Sequence, residues 1–330
     1  MPSNDCGLFE VKMGELDSWL VGTPFAGFSY IAPDGAQLPA LIATYAGIKR
    51  CTDLWIAAER WSAFKELIAR TGMPWVLDTV FDHEDSSLEG IHNSRFNTTR
   101  AAWAKRLTAG TEAHVFVARH GDDLQECRAR GWYPLVWKSE LIEKHPVDHV
   151  GFGEMLGYPD CCQAFFHRRN SWWNDNTPYA AMGCTDAPDW QANGLLRHTA
   201  AGLISHMPCR YDCPSTKVQS AERLAAIAEY SGPYAAWIEA RLKGTFLILS
   251  ERAIFRLEAS QRLNGGFVFE YAEAVPPTTD HPLRAILGVS DSVAIDGALV
   301  LTAKDGIPGR SYIARADQYG PECPFMVCFS

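Results

Sequence analysis

No apolar run in the 330-residue chain approaches the ~20 residues that a membrane-spanning helix needs. The opening stretch MPSNDCGLFEVKMGELDSW is polar and mixed, not a basic end followed by an apolar core, so no secretory signal is read there and the cytoplasm is the expected location. No basic stripe is present, and the net charge is −9 with the excess acid in the outer parts of the chain, which argues against a long nucleic-acid track. Neither GxGxxG nor GxxxxGK[ST] occurs, so no nucleotide fingerprint is available. Internal repeats and low-complexity tracts are missing too. The expected partner is a small-molecule substrate, with an electron or sulfur donor protein possible, and neither nucleic acid nor membrane.

What remains is an ordinary globular composition, 47% hydrophobic and 21% charged. Three regions differ in pattern. Residues 1–147 alternate helical and strand signals: CTDLWIAAERWSAFKELIARTG, TTRAAWAKRL and GDDLQECRARG read as helices, while PWVLDTVF, HVFVAR and YPLVW read as strands. That alternation predicts an α/β layer with a partly parallel sheet. Residues 148–243 carry helical pieces broken by aromatic-rich loops, including a helix after Pro214 with Ser215 or Thr216 as its N-cap. Residues 244–330 are strand-rich, and Asp296-Gly297 between two β-branched runs predicts a hairpin. The overall class is α/β (α+β overall).

Ten cysteines in a chain expected to be intracellular point to metal ligands, catalysis or buried thiols before disulfides. Cys6, Cys51 and Cys127 are isolated and read as small core residues. Two pairs are different. GYPDCCQAFF places Cys161 beside Cys162, and adjacent Cα atoms ~3.8 Å apart are too close for an unstrained disulfide. HMPCRYDCPS places Cys209 and Cys213 three residues apart between two prolines. Since a residue before proline avoids the helical region, Cys213 is expected to close a turn. Pro159 and Pro214 each suit a helix start, so both pairs sit near positive helix ends that favour thiolates.

Together the pairs supply the four thiolates of a metal centre. The spacing matches neither a CxxCxxC run nor a CxxC…CxxC zinc ribbon, and the CxxxCxxC of radical S-adenosylmethionine chemistry does not occur. Successive helical residues point ~100° apart, which favours a [4Fe–4S] cluster with Cys161, Cys162, Cys209 and Cys213 as ligands, zinc being the alternative. Around them, Cys184 and His206 are candidate catalytic groups, and Tyr158, Arg168 and Arg210 candidate substrate contacts. The resulting expectation is an iron–sulfur enzyme, a transferase or oxidoreductase moving sulfur or electrons on a small amino-acid-like molecule. A zinc-stabilised binding protein or scaffold competes with it. So does a metal-free enzyme using Cys162 or Cys184 as nucleophile with His167 or His206 as base.

Gly157, Tyr158, Pro159, Cys161, Cys162 and Phe165 resemble the Gly-Tyr-Pro-x-Cys-Cys-x-x-Phe core of an uncharacterised prokaryotic family. The resemblance spans about ten residues; it marks the motif as a unit and implies no reaction.

Overall fold

The computed structural model describes residues 13–31, 37–83, 101–103, 106–131, 135–137, 140–142, 148–169, 177–250, 253–263, 266–275, 287, 290–295, 298–303, 311–315 and 325–330. Cys6 and Cys323 lie outside them. The first region contains α1 (Met13–Leu20), α2 (Leu38–Tyr45), β1 (Cys51–Ala57), α3 (Trp61–Thr71), β2 (Trp75–His83), β3 (Ala101–Trp103), β4 (Thr111–Ala118), α4 (Gly121–Arg130), and the ribbon β5 (Leu135–Trp137) and β6 (Glu140–Ile142). The middle adds α5 (His149–Met155), α6 (Asp160–Arg169), α7 (Thr177–Gly183), α8 (Pro214–Tyr230) and α9 (Gly232–Leu242). In the last region the described strands are β7 (Gly244–Ser250), β8 (Ala253–Glu258), β9 (Gln261–Leu263), β10 (Gly266–Val268), β11 (Tyr271–Ala274), β12 (Ser290–Ile295), β13 (Ala298–Ala303), β14 (Ser311–Arg315) and β15 (Phe325–Phe329).

The fold is mixed α/β, but its first sheet, in the order β1-β4-β2-β3, is antiparallel where a partly parallel one was expected. Two helical readings also give way to strands. In β1, Thr52, Leu54 and Ile56 are buried while Asp53, Trp55 and Ala57 are not, a period of two that the helix-like recurrence farther along concealed; only Trp61–Thr71 is helical. Ala101–Trp103 pairs with Phe81–His83, so the strand partner overrides the helical preference of Ala-Ala. The other two large sheets have the orders β14-β13-β12-β10-β9 and β11-β8-β7-β15. Strands β12 and β13 pair antiparallel up to Ile295 and Leu299, on either side of the hairpin turn expected at Asp296-Gly297, which itself lies outside the described residues.

One hydrophobic cluster joins side chains from all three regions, among them Leu41, Phe64 and Val115, then Phe165, Tyr211 and Ile238, then Phe246 and Phe329. Helix α2 packs on α8, which sets the loop ahead of β1 against the α8 face. No helix among the described residues is long and apolar enough to cross a membrane.

Candidate metal centre

The first cysteine pair is aimed by a tight reversal between α5 and α6. Asp148 caps α5 by accepting from the Gly151 amide at 2.9 Å. The chain leaves α5 through Gly157, whose φ of +70° is open mainly to glycine. The Gly157 and Tyr158 amides donate to the carbonyls of Glu154 and Gly153, closing the end of the helix. Pro159 then starts the next turn, its carbonyl accepting from the Cys162 and Gln163 amides, both at 2.9 Å. Cys161 and Cys162 therefore sit in the first turn of α6.

The second pair lies on a loop tied down at both flanks. Arg210 is ion-paired with Asp212 and, at 2.6 Å, with Asp186. Asp212 also accepts from the amides of Asp186 and Ala187, and the paired guanidinium holds its carboxyl down at about 2. The Tyr211 amide donates to Thr185 Oγ1 at 2.8 Å, and its buried ring packs edge-on against Phe329. Cys213 ends this loop as the N-cap of the 17-residue α8, with Pro214 at the first helical position. The expected cap at Ser215 or Thr216 is thus displaced to Cys213, because Pro214 already has helical φ.

These two devices bring four sulfurs together. The Sγ atoms of Cys161, Cys162, Cys209 and Cys213 all lie within 4.8 Å of one another. Three separations are 3.6 Å (Cys161–Cys213), 3.7 Å (Cys162–Cys213) and 3.9 Å (Cys161–Cys162). Metal–sulfur bonds of ~2.3 Å in a tetrahedron give sulfur–sulfur edges of ~3.8 Å. In a four-iron cluster each thiolate binds a different iron, and the sulfurs stand roughly 6 Å apart. The observed edges have the length of a single-ion site. Cys162 and Cys213 are buried, Cys209 is half-buried and Cys161 is exposed, so the quartet lies at the surface end of the core.

Cys162, Cys209 and Cys213 are electrostatically unlike. Hydrogen bonds from Cys162 and Cys209 drive Cys213 far below the usual thiol range, outweighing burial. Hydrogen bonding to Cys209 and Cys213, with burial, drives Cys162 far above it. For Cys209 the bond with Cys162 lowers the value, but the bond with Cys213 and burial win and push it up to about 12. One thiolate held by neighbouring S–H groups is the arrangement that a buried quartet tolerates without a cation, since a second charge there is costly. A bound cation reverses that cost and releases the remaining protons.

Polar groups already face the clustered sulfurs. The Cys209 amide donates to Cys162 Sγ at 3.4 Å, and Thr216 Oγ1 lies 3.4 Å from the same sulfur. Thr216 Oγ1 is also 3.2 Å from His206 Nε2. When Cys162 is a thiolate its sulfur only accepts, so the Thr216 hydroxyl donates to it and in turn accepts from His206 Nε2–H. His206 is itself buried and packs at 5.3 Å from the Tyr158 ring; burial, with Arg223 nearby, lowers it to about 3.

The remaining sequence candidates separate from the quartet. Cys184 is an exposed thiol just beyond α7 and is not one of the clustered sulfurs. Arg168 is exposed and donates to the Ala164 carbonyl of its own helix. Arg210, expected to bind substrate, has two carboxylates on its guanidinium and acts as a strap for the loop. Tyr158 is half-buried against His206, which reaches the ligands only through Thr216. Cys51 and Cys127 are buried in a separate cluster with Phe116 and Phe152, so the described part of the first region adds no sulfur to the quartet. Thr216 entered the sequence reading only as a possible cap, and its spacing of three from Cys213 was the one available sign of a larger role.

No family model, curated protein or solved structure matches this chain.

Proposed function

We propose that the chain is a zinc protein in which Cys161, Cys162, Cys209 and Cys213 hold one tetrahedral ion that clamps the start of α6 to the start of α8. The observation that carries this is the sulfur spacing of 3.6–3.9 Å across three edges of the quartet. A [4Fe–4S] cluster, the expectation from the adjacent thiols, asks for wider separations. Four thiolates fill a tetrahedral ion, which is the pattern of structural rather than catalytic zinc. The ion's work is then to fix the reversal at Gly157–Pro159 against the loop at Pro208–Pro214. Recognition of a small molecule falls to side chains behind the ion. A reducing compartment such as the cytoplasm keeps these thiols available.

Metal analysis of protein purified without oxygen tests the reading. One zinc per chain and no visible absorbance are expected. Four irons with acid-labile sulfide and a brown colour would return the iron–sulfur enzyme to first place, and metal-free, iodoacetamide-sensitive protein would favour a cysteine nucleophile.

A further inference from the structure

Behind the sulfur quartet, two buried cations make no ion pair among the described residues. Arg223, in the middle of α8, is 1% exposed, and Lys49, in the loop between α2 and β1, is 2% exposed. They flank the αL turn of the cysteine motif: a side chain at Gly157 would begin 3.7 Å from both Lys49 Cγ and Arg223 Nη2. Arg223 donates only to neutral oxygens, the carbonyls of Leu203 at 3.1 Å and Gly157 at 3.4 Å and the amide of Gln219. Its Nε is buried and unpartnered among the described residues. Lys49 has neither a hydrogen bond from its ammonium nor an ion pair among the described residues; Asp53 is near enough to be felt, but it is engaged by His114. The next residue of the turn, Tyr158, packs on His206, whose Nδ1 is likewise buried and unpartnered.

A buried guanidinium and a buried ammonium that feel each other, with neither ion-paired among the described residues and only more distant acidic groups such as Asp53 and Glu222 acting on them, are expensive for a protein to maintain. Burial and the mutual repulsion pull Lys49 down to about 8, and burial pulls Arg223 down to about 10. Solvated lysines and arginines carry no such cost, so a structural explanation requires a compensating anion.

We propose that Lys49 and Arg223, both next to Gly157, form a buried oxyanion site for the carboxylate or phosphate group of a small-molecule ligand. The fork of Arg223 supplies the unpaired Nε–H, and the Lys49 ammonium supplies a second positive charge. The site stands on residues other than the metal ligands and does not depend on which ion the cysteines hold.

The test is thermal unfolding and calorimetric titration of the full metal-loaded chain with inorganic phosphate and, separately, acetate, each against potassium chloride at equal ionic strength. Saturable protection by phosphate alone would identify a phosphorylated ligand; protection by acetate, a carboxylate. Lys49→Met is expected to weaken binding of the protecting ion by about tenfold or more, while the ligand-free melting temperature stays or rises because an uncompensated buried charge has been removed. Arg223→Gln should weaken it similarly, with metal content unchanged in both variants, so that lost anion binding is not lost metal. The proposal is overturned if neither ion protects the wild-type chain beyond chloride, or if protection persists in Lys49→Met. Should a variant fail to fold, the wild-type comparison decides alone.

Discussion

Thr216 Oγ1 stands 3.4 Å from Cys162 Sγ and 3.2 Å from His206 Nε2, so one hydroxyl links a ligand sulfur to a buried imidazole. The link runs across the fold: Cys162 is on α6, Thr216 on α8, and His206 on the irregular segment before the Cys209 loop. Outer partners of this kind orient ligands and tune their basicity.

Thr216→Val keeps the shape of the side chain and removes the hydroxyl. We expect zinc affinity to fall by about 10- to 100-fold, with the circular dichroism spectrum unchanged, and Thr216→Ser to recover most of the loss. Competition with a chromogenic chelator measures it. Equal affinity in all three proteins would show that the hydroxyl serves packing alone.

Much of this centre was legible in the sequence, and for a physical reason. Two cysteine pairs, each beside a proline at a helix start, are poor core filling, and those local signals survive without any knowledge of the fold. The sulfur separations were not legible, because they depend on how closely α6 approaches α8, which is a tertiary quantity. Lys49 and Arg223 were invisible for the same reason: GIKRC and AERLAA look like solvated segments until α2 packs on α8. Asp53 and Trp55 hid a strand inside an apparently helical recurrence because β1 continues almost directly into a true helix. The polarity of the first sheet depended on which strands were real.

Removing the metal should destabilise the middle of the chain, since the binding energy of a closed four-cysteine site is folding energy. Chelation is expected to lower the melting temperature, and stoichiometric zinc to restore it. Cys213→Ala removes a buried sulfur at the start of α8, whereas Cys161→Ala removes an exposed one, so the first should cost more stability. Identical melting temperatures with and without zinc would contradict a structural ion.

Metal retention should weaken in acid. Binding requires four thiolates, yet Cys162 and Cys209 hold their protons above the ordinary thiol range, so protons compete for the site. Zinc affinity is therefore expected to fall with decreasing pH, each coupled proton contributing about tenfold per pH unit. Equilibrium dialysis between pH 8 and pH 6 reports the slope. A flat profile would mean that the sulfurs are not the ligands.

His206 adds an acid sensitivity of its own. Its folded value of about 3 lies below the ordinary 6.5, so between those limits the unfolded chain binds a proton that the folded chain does not. The stabilisation from keeping this imidazole neutral is complete above 6.5 and is lost as pH falls toward 3, at up to about 1.4 kcal/mol per pH unit. The positive groups felt by the ring, Arg223, Lys49 and Arg197, act in the same direction, while Cys213 opposes them. In metal-free protein, His206→Gln should flatten the decline in unfolding free energy between pH 6 and pH 4. A parallel decline in wild type and variant would place the sensitivity elsewhere.

Gly157→Ala tests the turn that aims the first cysteine pair. The backbone there has φ of +70°, which costs a residue with a Cβ about 1 kcal/mol or more. Space is not the obstacle, because the new methyl would meet Lys49 Cγ and Arg223 Nη2 at 3.7 Å, ordinary contact distance. The loss should therefore appear as backbone strain, lowering stability by that amount. Zinc affinity should fall as well if the strain relaxes by moving Pro159 and the first turn of α6. Gly157→D-alanine, introduced by semisynthesis, favours the same positive φ without strain and should restore both. If the L-alanine protein were as stable as wild type, the left-handed turn would not be what positions Cys161 and Cys162.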